Sequence, residues 1–183
     1  MALPKTIGSR EVHVAIERLA AAIEARHPDR RELLILGIAN GGIPLARRLA
    51  ARLGIRRVGD LDISFHRDDI GKHPVPKEFA ATLLPGDVNG ASVLLVDDVL
   101  DTGRTIKAAL DELFDHGRPS MVELAVLVDR GHRRLPVVAD FAGTRIDAGL
   151  DEEVVVSLKD DPKRDRIEIQ PKGARKARAL ATR

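Results

Sequence analysis

The 183-residue sequence contains no cysteine, no tryptophan and no tyrosine, and it has only four phenylalanines. Without cysteine, disulfide bonds and thiolate metal sites are excluded. With so few aromatic rings, platforms on which nucleic-acid bases could stack are scarce. No apolar run approaches the roughly 20 residues of a membrane-spanning helix, and the start MALPKTIGSR lacks the apolar stretch of a signal peptide. We therefore expect a cytoplasmic protein without a membrane segment.

Common nucleotide-binding motifs are missing as well. The chain has no GxxxxGK[ST] segment and no GxGxxG after a strand, which argues against a P-loop protein and a dinucleotide-binding fold. Its histidines, among them His13, His66, His73 and His116, do not have the spacing of metal ligands. A structural zinc site is therefore not expected.

The composition is that of a globular chain with a weak positive charge. Hydrophobic residues make up 44% of the sequence, enough to fill the core of one domain, and the formal net charge is +2. This charge allows binding to phosphates or nucleic acid without requiring it. We expect a single domain over residues 1–170, followed by a basic tail, 171–183, that is disordered.

Short apolar runs alternate with helical periodicity along the chain. A helix is predicted to begin at Ser9 as its N-cap, and a buried strand at 33–38 leads into the turn Asn40-Gly41-Gly42. Pro44 fits the first turn of the next helix, and Gly54 fits its C-terminal cap. Further strands are predicted near Leu61, Ile63 and Phe65 and in VLLV (93–96), VELAVLV (122–128), VVADF (137–141), EEVVVSL (152–158) and RIEI (166–169). This order predicts an α/β domain with a central, mostly parallel sheet flanked by helices.

The stretch VLLVDDVLDTGRT (93–105) carries the chemistry. Ligands of open parallel sheets bind beyond the carboxyl ends of the strands, where Asp97 and Asp98 are expected. The glycine and the hydroxyls of Thr-Gly-Arg-Thr, followed by a helix start, are suited to a phosphate. Carboxylates can accept hydrogen bonds from ribose hydroxyls or help to hold a magnesium ion shared with phosphate oxygens. A phosphorylated sugar satisfies both halves of the motif.

This stretch resembles the phosphoribosyl pyrophosphate (PRPP) signature of the type I phosphoribosyltransferases. DISFHRDDI (62–70), GRP (117–119) and LAVLVDRGHRRLPVVADFAG (124–143) further resemble the pyrimidine operon attenuation regulators that are also uracil phosphoribosyltransferases. The resemblance implies the type I fold with a small hood, Mg²⁺ as the cofactor with PRPP as co-substrate, a nucleobase or nucleotide as the other ligand, and a homo-oligomer. It also implies pyrimidine operon leader RNA as a candidate partner.

The resemblance implies a role for each matching residue. Asp97 and Asp98 would bind the ribose and, through it or through water, the metal. The PRPP loop, residues 101–105, would wrap the 5′-phosphate, and the pyrophosphate loop, residues 40–42, would bind the leaving group. Asp98, Asp101 and Arg67 are the implied catalytic residues. The full set implied for these sites is Asp97, Asp98, Asp101, Thr102, Gly103, Arg104, Thr105, Asn40, Gly41 and Gly42 for PRPP, Asp129 and Arg130 for the base, and Arg67 and Lys72 for a mobile flap. RNA binding is a separate hypothesis, motivated by the basic residues His132, Arg133 and Arg134 and by the basic first half of the chain, with His132 and Arg133 as the predicted contacts.

Two features depart from the regulators' pattern, and a third departs from that of the purine enzymes, which leaves the base open. Asn40-Gly41-Gly42 stands where the regulators commonly have Thr-Arg-Gly, and Asp101 stands where they usually have tyrosine. Both features resemble the hypoxanthine-guanine phosphoribosyltransferases, but Asp129 stands where those enzymes place a lysine for the purine. The alternatives are therefore a uracil phosphoribosyltransferase, a purine phosphoribosyltransferase, and a non-catalytic RNA-binding regulator that senses nucleotide.

Overall fold

A computed structural model describes residues 5–30, 32–64, 66 and 81–174. The three α-helices in these residues are α1 (Ser9–Arg26), α2 (Ala39–Leu53) and α3 (Arg104–His116). The strands are β1 (Lys5–Ile7), β2 (Leu34–Ile38), β3 (Val58–Leu61), β4 (Ser92–Leu100), β5 (Met121–Asp129), β6 (Phe141–Arg145), β7 (Glu152–Ser157) and β8 (Arg166–Pro171). None of the helices in these ranges is long and apolar enough to cross a bilayer.

A parallel sheet of five strands, in the order β3-β2-β4-β5-β6, forms the centre. Because successive side chains of a strand point to opposite faces, neighbours such as Leu94 and Leu95 enter different cores. Helices α1 and α2 pack on one face and α3 on the other. Both faces are covered, which explains why the central strands read as continuous apolar runs.

The hood is a second, antiparallel sheet in the order β1-β8-β7. Ile167 and Ile169 of β8 are buried in the same apolar cluster as α1 and α2. The predicted type I architecture, a parallel sheet flanked by helices with a small hood, is therefore confirmed. The sequence missed β1, which has only three residues and gains its place by pairing with β8.

Strand β4 is longer than its apolar run predicts. It continues through Leu100, with Asp97 facing Val126 and Leu100 facing Asp129 across the β4–β5 ladder. The two acids therefore lie inside the strand and not after it. Ladder hydrogen bonds use backbone groups, so a polar side chain does not end the pairing.

The strand predicted at 137–141 is wrong in position, because β6 begins only at Phe141. The backbone of Val137 is used elsewhere: its N–H donates to Leu135 and its carbonyl accepts from the Arg133 guanidinium. Similarly, the cap of α1 is Gly8, without a side-chain hydrogen bond, and not Ser9, which is the first helical residue.

The predicted domain boundary at 170 falls one residue before the end of β8. Most of the tail, 175–183, lies outside the described residues, so its disorder stays a prediction. Strand β3 ends at Leu61, and Phe65, which was assigned to it, also lies outside them. The same holds for most of the predicted flap, including Arg67 and Lys72.

Candidate active site

Three connections meet at the carboxyl edge of the parallel sheet. They are the step from β2 into α2, the step from β4 into α3, and the segment that follows β5. Because β2, β4 and β5 are adjacent and parallel, their carboxyl ends lie side by side. Residues far apart in the sequence are therefore brought to one edge, where ligands of such sheets bind.

Asp97 is buried at this edge, with 5% of its surface exposed. Its Oδ1 accepts a hydrogen bond of 2.9 Å from the Asp98 N–H. Burial raises the pKa of Asp97 well above its ordinary value, and the neighbouring charge of Asp98 raises it further. A cation or a hydrogen-bond donor brought to this carboxylate would favour its ionised form.

Asp98 is partly exposed and lies against the predicted pyrophosphate loop. A Cβ atom placed on Gly41 would be 2.5 Å from the Asp98 carboxyl carbon. A Cβ atom on Gly42 would overlap the backbone carbonyl of Val96. Gly42 is therefore needed for the close approach of α2 to β4, and Gly41 leaves room for the Asp98 side chain beside the loop.

The pyrophosphate loop is the first turn of α2 and not a separate turn before a helix at Pro44. Helix α2 begins at Ala39, whose φ of +41° lies in the left-handed region that residues with a side chain rarely adopt. Such strain is concentrated at ligand sites. With Asn40 exposed and no acidic residue in the first turn, the start of α2 is suited to an anion.

The PRPP loop joins β4 to the start of α3. Gly103, with φ of +90°, is the N-cap of α3, and a side chain there would be strained. No side chain caps this helix, and its first turn has no acidic residue. Thr102 and Thr105 place hydroxyls beside the exposed helix start, and the Arg104 N–H contacts Thr102 Oγ1 at 3.4 Å. The arrangement is a second helix start that can accept a phosphate.

Arg133, which lies in the segment after β5, holds the PRPP loop through hydrogen bonds. Its guanidinium donates to the carbonyls of Leu100, Asp101 and Val137 at 2.9 to 3.1 Å and to Asp129 Oδ1 at 2.6 Å. Two backbone N–H groups of the same segment, those of Arg134 and Leu135, donate to the Thr102 carbonyl. Arg133 was predicted to contact RNA, but these contacts use its guanidinium within the protein. An additional RNA contact stays a prediction.

Asp101 is paired with Arg130. Arg130 Nη1 donates to Asp101 Oδ2 at 2.9 Å, and Arg130 Nη2 donates to the carbonyls of Gly149 and Glu152 at the entrance to the hood. The Arg130 side chain is only 3% exposed. The second oxygen of Asp101, Oδ1, has no hydrogen-bond partner within the described part of the chain, although His132 Nδ1 lies 3.7 Å away.

Asp129, which was predicted to line the base pocket, forms hydrogen bonds with the segment that follows β5. Its Oδ1 accepts from the Gly131 N–H at 2.8 Å and from Arg133. Asp129 therefore orders the turn after β5. The geometry brings together Asp97, Asp98, residues 101–105, residues 40–42, Asp129, Arg130, His132 and Arg133, and it leaves Arg67 and Lys72 untested because they lie outside the described residues.

Glu112 of α3 is a residue that the sequence did not single out. Its carboxylate accepts a hydrogen bond of 2.6 Å from the Thr82 hydroxyl and lies 3.2 Å from His66 Nε2. His66 and Thr82 stand on either side of the predicted flap segment, so Glu112 ties both of them to α3. The acid is one of several on this helix, and nothing in the pattern distinguished it.

No cluster of three or more His, Cys, Asp or Glu side chains suited to a metal occurs in the ranges that the structure describes. The acid pair could therefore supply only one or two ligands. Mg²⁺ is commonly held in this way, by one or two carboxylates together with substrate phosphate oxygens and water. The pair thus fits a metal that arrives with its phosphorylated substrate.

Comparisons with known proteins show the family of the chain. The model of the phosphoribosyl transferase domain matches residues 8–162. The chain is 44% identical over 169 residues to the bifunctional protein PyrR of Chloroflexus aurantiacus, covering 89% of this chain and 92% of that protein. It is 47% identical over 165 residues to PyrR of Streptomyces coelicolor, covering 87% and 85%.

Solved structures give the same fold at low identity. Hypoxanthine phosphoribosyltransferase from Trypanosoma cruzi, in complex with the product IMP, superposes with a TM-score of 0.69 at 20% identity, covering 100% of this chain and 99% of that one. A hypoxanthine-guanine phosphoribosyltransferase from Bacillus anthracis superposes with a TM-score of 0.63 at 19% identity, covering 80% and 86%. At these identities, the likeness concerns the fold.

Proposed function

Because the chain belongs to the phosphoribosyl transferase domain family, and within it to the bifunctional PyrR proteins, we propose that it converts uracil and PRPP to UMP and pyrophosphate. The observation that carries this proposal is the position of Asp98 between two helix starts. Gly41, in the first turn of α2, lies against its carboxylate, and the PRPP loop follows three residues later at the start of α3. A sugar bearing a phosphate at one end and a pyrophosphate at the other fits this order.

In this reaction, the chain mainly positions its ligands and balances their charge. The start of α3, with Thr102 and Thr105, would bind the 5′-phosphate, and the start of α2 would bind the pyrophosphate. Asp97 and Asp98 would accept hydrogen bonds from the ribose hydroxyls. With both ends fixed, the anomeric carbon is held where a ring nitrogen of the base can displace pyrophosphate.

Phosphoribosyltransferases of this fold generally use Mg²⁺ with PRPP, and we include it in the proposal. The bound ion would supply positive charge to the departing pyrophosphate. Asp98, the more exposed of the two acids, is the better candidate ligand, because Asp97 is buried and bonded to the backbone. The proposal further includes a cytoplasmic location and a homo-oligomer, whose size light scattering would measure.

The test is magnesium-dependent release of pyrophosphate from PRPP, with uracil, hypoxanthine, guanine and xanthine supplied separately. We expect release with uracil alone, and Asp98→Asn should weaken PRPP binding while the chain stays folded. Release with only a purine would contradict the proposed base. PRPP binding without release for any base would indicate a regulator without catalysis.

The purine alternative is not favoured. It was supported by the Asn40-Gly41-Gly42 loop and by Asp101, read as a carboxylate for the purine's imidazole edge. One oxygen of that carboxylate is occupied by the buried Arg130 guanidinium. In addition, three relatives that match 81–89% of the chain at 44–47% identity are PyrR proteins.

We propose RNA binding as the second activity, since the relatives are named bifunctional. The proposed RNA is the leader of a pyrimidine operon, and His132 and Arg133 are the predicted contacts. Arg133→Ala is a poor test by itself, because it would also release the PRPP loop. Arg134 next to it has an exposed side chain and is the better probe. If it contacts RNA phosphate, Arg134→Ala should weaken binding in a gel shift and lower the salt slope by about 1; an unchanged slope would exclude that contact.

A further inference from the structure

The PRPP loop presents an electrostatic problem. It begins with Asp101, a carboxylate, although the loop is proposed to bind a phosphate dianion. Two like charges at one site repel each other, and the repulsion is larger where water is partly excluded. Some neighbouring group must offset the charge of Asp101 before an anion can bind.

Arg130 is placed to do this. Its guanidinium is almost completely buried and lies 2.9 Å from Asp101 Oδ2. Its other two acceptors, the carbonyls of Gly149 and Glu152, are uncharged, so Asp101 is the anion that compensates the buried cation. A guanidinium as deeply buried as that of Arg130 would be costly without an anion beside it. The neighbouring cation, Arg133, is paired with a different acid, Asp129.

The pairing leaves the loop with no uncompensated negative charge. Two aspartates and two arginines are matched, and the helix start with its backbone N–H groups remains to attract an anion. We propose that Arg130 is a positioning residue that neutralises Asp101 and fixes the PRPP loop to the hood, so that the loop can accept the 5′-phosphate of PRPP. This inference rests on the proposed function, because it concerns the same loop.

The inference makes a distinctive prediction about pairs of substitutions. Arg130→Met removes the positive charge and leaves Asp101 to repel the phosphate. We expect PRPP affinity to fall by at least about tenfold, which is about 1.4 kcal/mol of binding free energy. Adding Asp101→Asn removes the repelling charge, so the double variant should recover most of that loss. An arginine that only supported the carbonyls of Gly149 and Glu152 would show no such recovery.

The measurement is calorimetric titration of PRPP with Mg²⁺ into the wild type, Arg130→Met, Asp101→Asn and the double variant. Circular dichroism should follow folding, because the chain lacks tryptophan and tyrosine for fluorescence. Arg48→Met is the matched control. It breaks another ion pair that ties the hood segment to the main domain, that of Arg48 with Asp165, away from the PRPP loop. We expect Arg48→Met to lower the melting temperature without lowering the affinity for PRPP.

A double variant that binds PRPP as weakly as Arg130→Met would overturn the inference, as would Arg130→Met with wild-type affinity. If Arg130→Met does not fold, Arg130→Lys provides the test, since it keeps the charge but not the planar fork. Its affinity should stay within about threefold of wild type, and a tenfold loss would count against neutralisation. A wild type that binds no PRPP would overturn the proposed function together with the inference. If the wild type binds PRPP but the double variant does not recover its affinity, the inference alone is overturned.

Discussion

Two aspartates in different regions of the molecule, Asp97 in the candidate site and Asp165 beside the hood, are almost equally buried, at 5% and 2% exposed. Their pKa values are shifted in opposite directions. The pKa of Asp97 is raised, by burial and then by the charge of Asp98. Burial would also raise the pKa of Asp165, but hydrogen bonds from the Arg48 guanidinium and the Lys159 N–H lower it below its ordinary value.

The two aspartates differ in their partners. Asp165 contacts Arg48 through both oxygens, accepts from the Lys159 N–H at 2.8 Å and lies 3.3 Å from His13 Nε2. These contacts join the segment before β8 to α1 and α2, and we call them the hood latch. Asp97 accepts the backbone N–H of Asp98 and lies against the Asp98 carboxyl group. The latch is complete within the chain, whereas in the proposed function positive charge at the site would come from Mg²⁺ bound together with PRPP.

The largest effect on stability is expected when the latch is broken. Asp165→Ala leaves the partly buried Arg48 guanidinium without its anion and should lower the free energy of unfolding by about 3 kcal/mol. Chemical denaturation at neutral pH measures this change. PRPP affinity of the folded protein should be unaffected, because the latch lies away from residues 101–105. A loss below about 1 kcal/mol would show that the latch is not needed to hold the hood.

The latch also sets a pH dependence whose sign follows from the lowered pKa. The stabilisation is present above the ordinary aspartate value of 3.8, and it is lost as the pH falls through the lower pKa of the folded state. Asp165→Asn cannot ionise, so its stability should depend less on pH in this acidic range. Parallel acid denaturation curves for the two proteins would contradict the assignment.

Substitutions of two neighbouring glycines, Gly41 and Gly42, should separate an effect on folding from an effect on PRPP binding. Gly42→Ala would collide with the Val96 backbone and should destabilise the fold by about 2 kcal/mol. Gly41→Ala meets only the end of the Asp98 side chain, which can rotate away. It should spare the fold but weaken PRPP binding by about tenfold, or about 1.4 kcal/mol. Melting temperatures and PRPP titrations of the two variants check this contrast, and equal losses of stability would refute it.

Asp97→Asn should change the free energy of unfolding in the opposite direction from Asp165→Ala. Because the pKa of Asp97 is raised, its ionised form is disfavoured in the folded state, and this penalty grows as the pH rises through that pKa. The neutral amide removes the penalty and keeps an oxygen for the Asp98 N–H. We expect the free energy of unfolding at neutral pH to rise by about 1 kcal/mol, with weaker PRPP binding. Loss of stability would mean that Asp97 is already compensated without a ligand.

The smallest effect is expected for an exposed ion pair that joins the same two helices as the latch. Arg52 and Glu17 are 3.0 Å apart, with side chains 47% and 58% exposed. Water already solvates both charges, so Arg52→Ala should change the free energy of unfolding by less than about 0.5 kcal/mol. Denaturation alongside Asp165→Ala provides the comparison. A change near that of the latch would show that burial is not what separates the two pairs.

The sequence by itself determined the central fold and the place of the site. The apolar runs of β2, β4 and β5 are local patterns that require cover on both faces, and the motif at 93–105 marks where β4 meets a helix start. Gly54 as a helix end was also predicted correctly, since helix caps depend on a few adjacent residues.

Only the tertiary structure decided which charges meet. Asp101 and Arg130 are 29 residues apart, and Asp165 and Arg48 are 117 apart, so no local pattern connects either pair. The same reason explains why the internal contacts of Arg133 were not predicted, why β1 was missed, and why Asp97 and Asp98 were placed after their strand. Hydrophobic periodicity is a local property that a sequence displays directly. The partners of a buried charge, by contrast, are selected by the packing of distant segments, and the cost of burying a charge unpaired makes that selection strict.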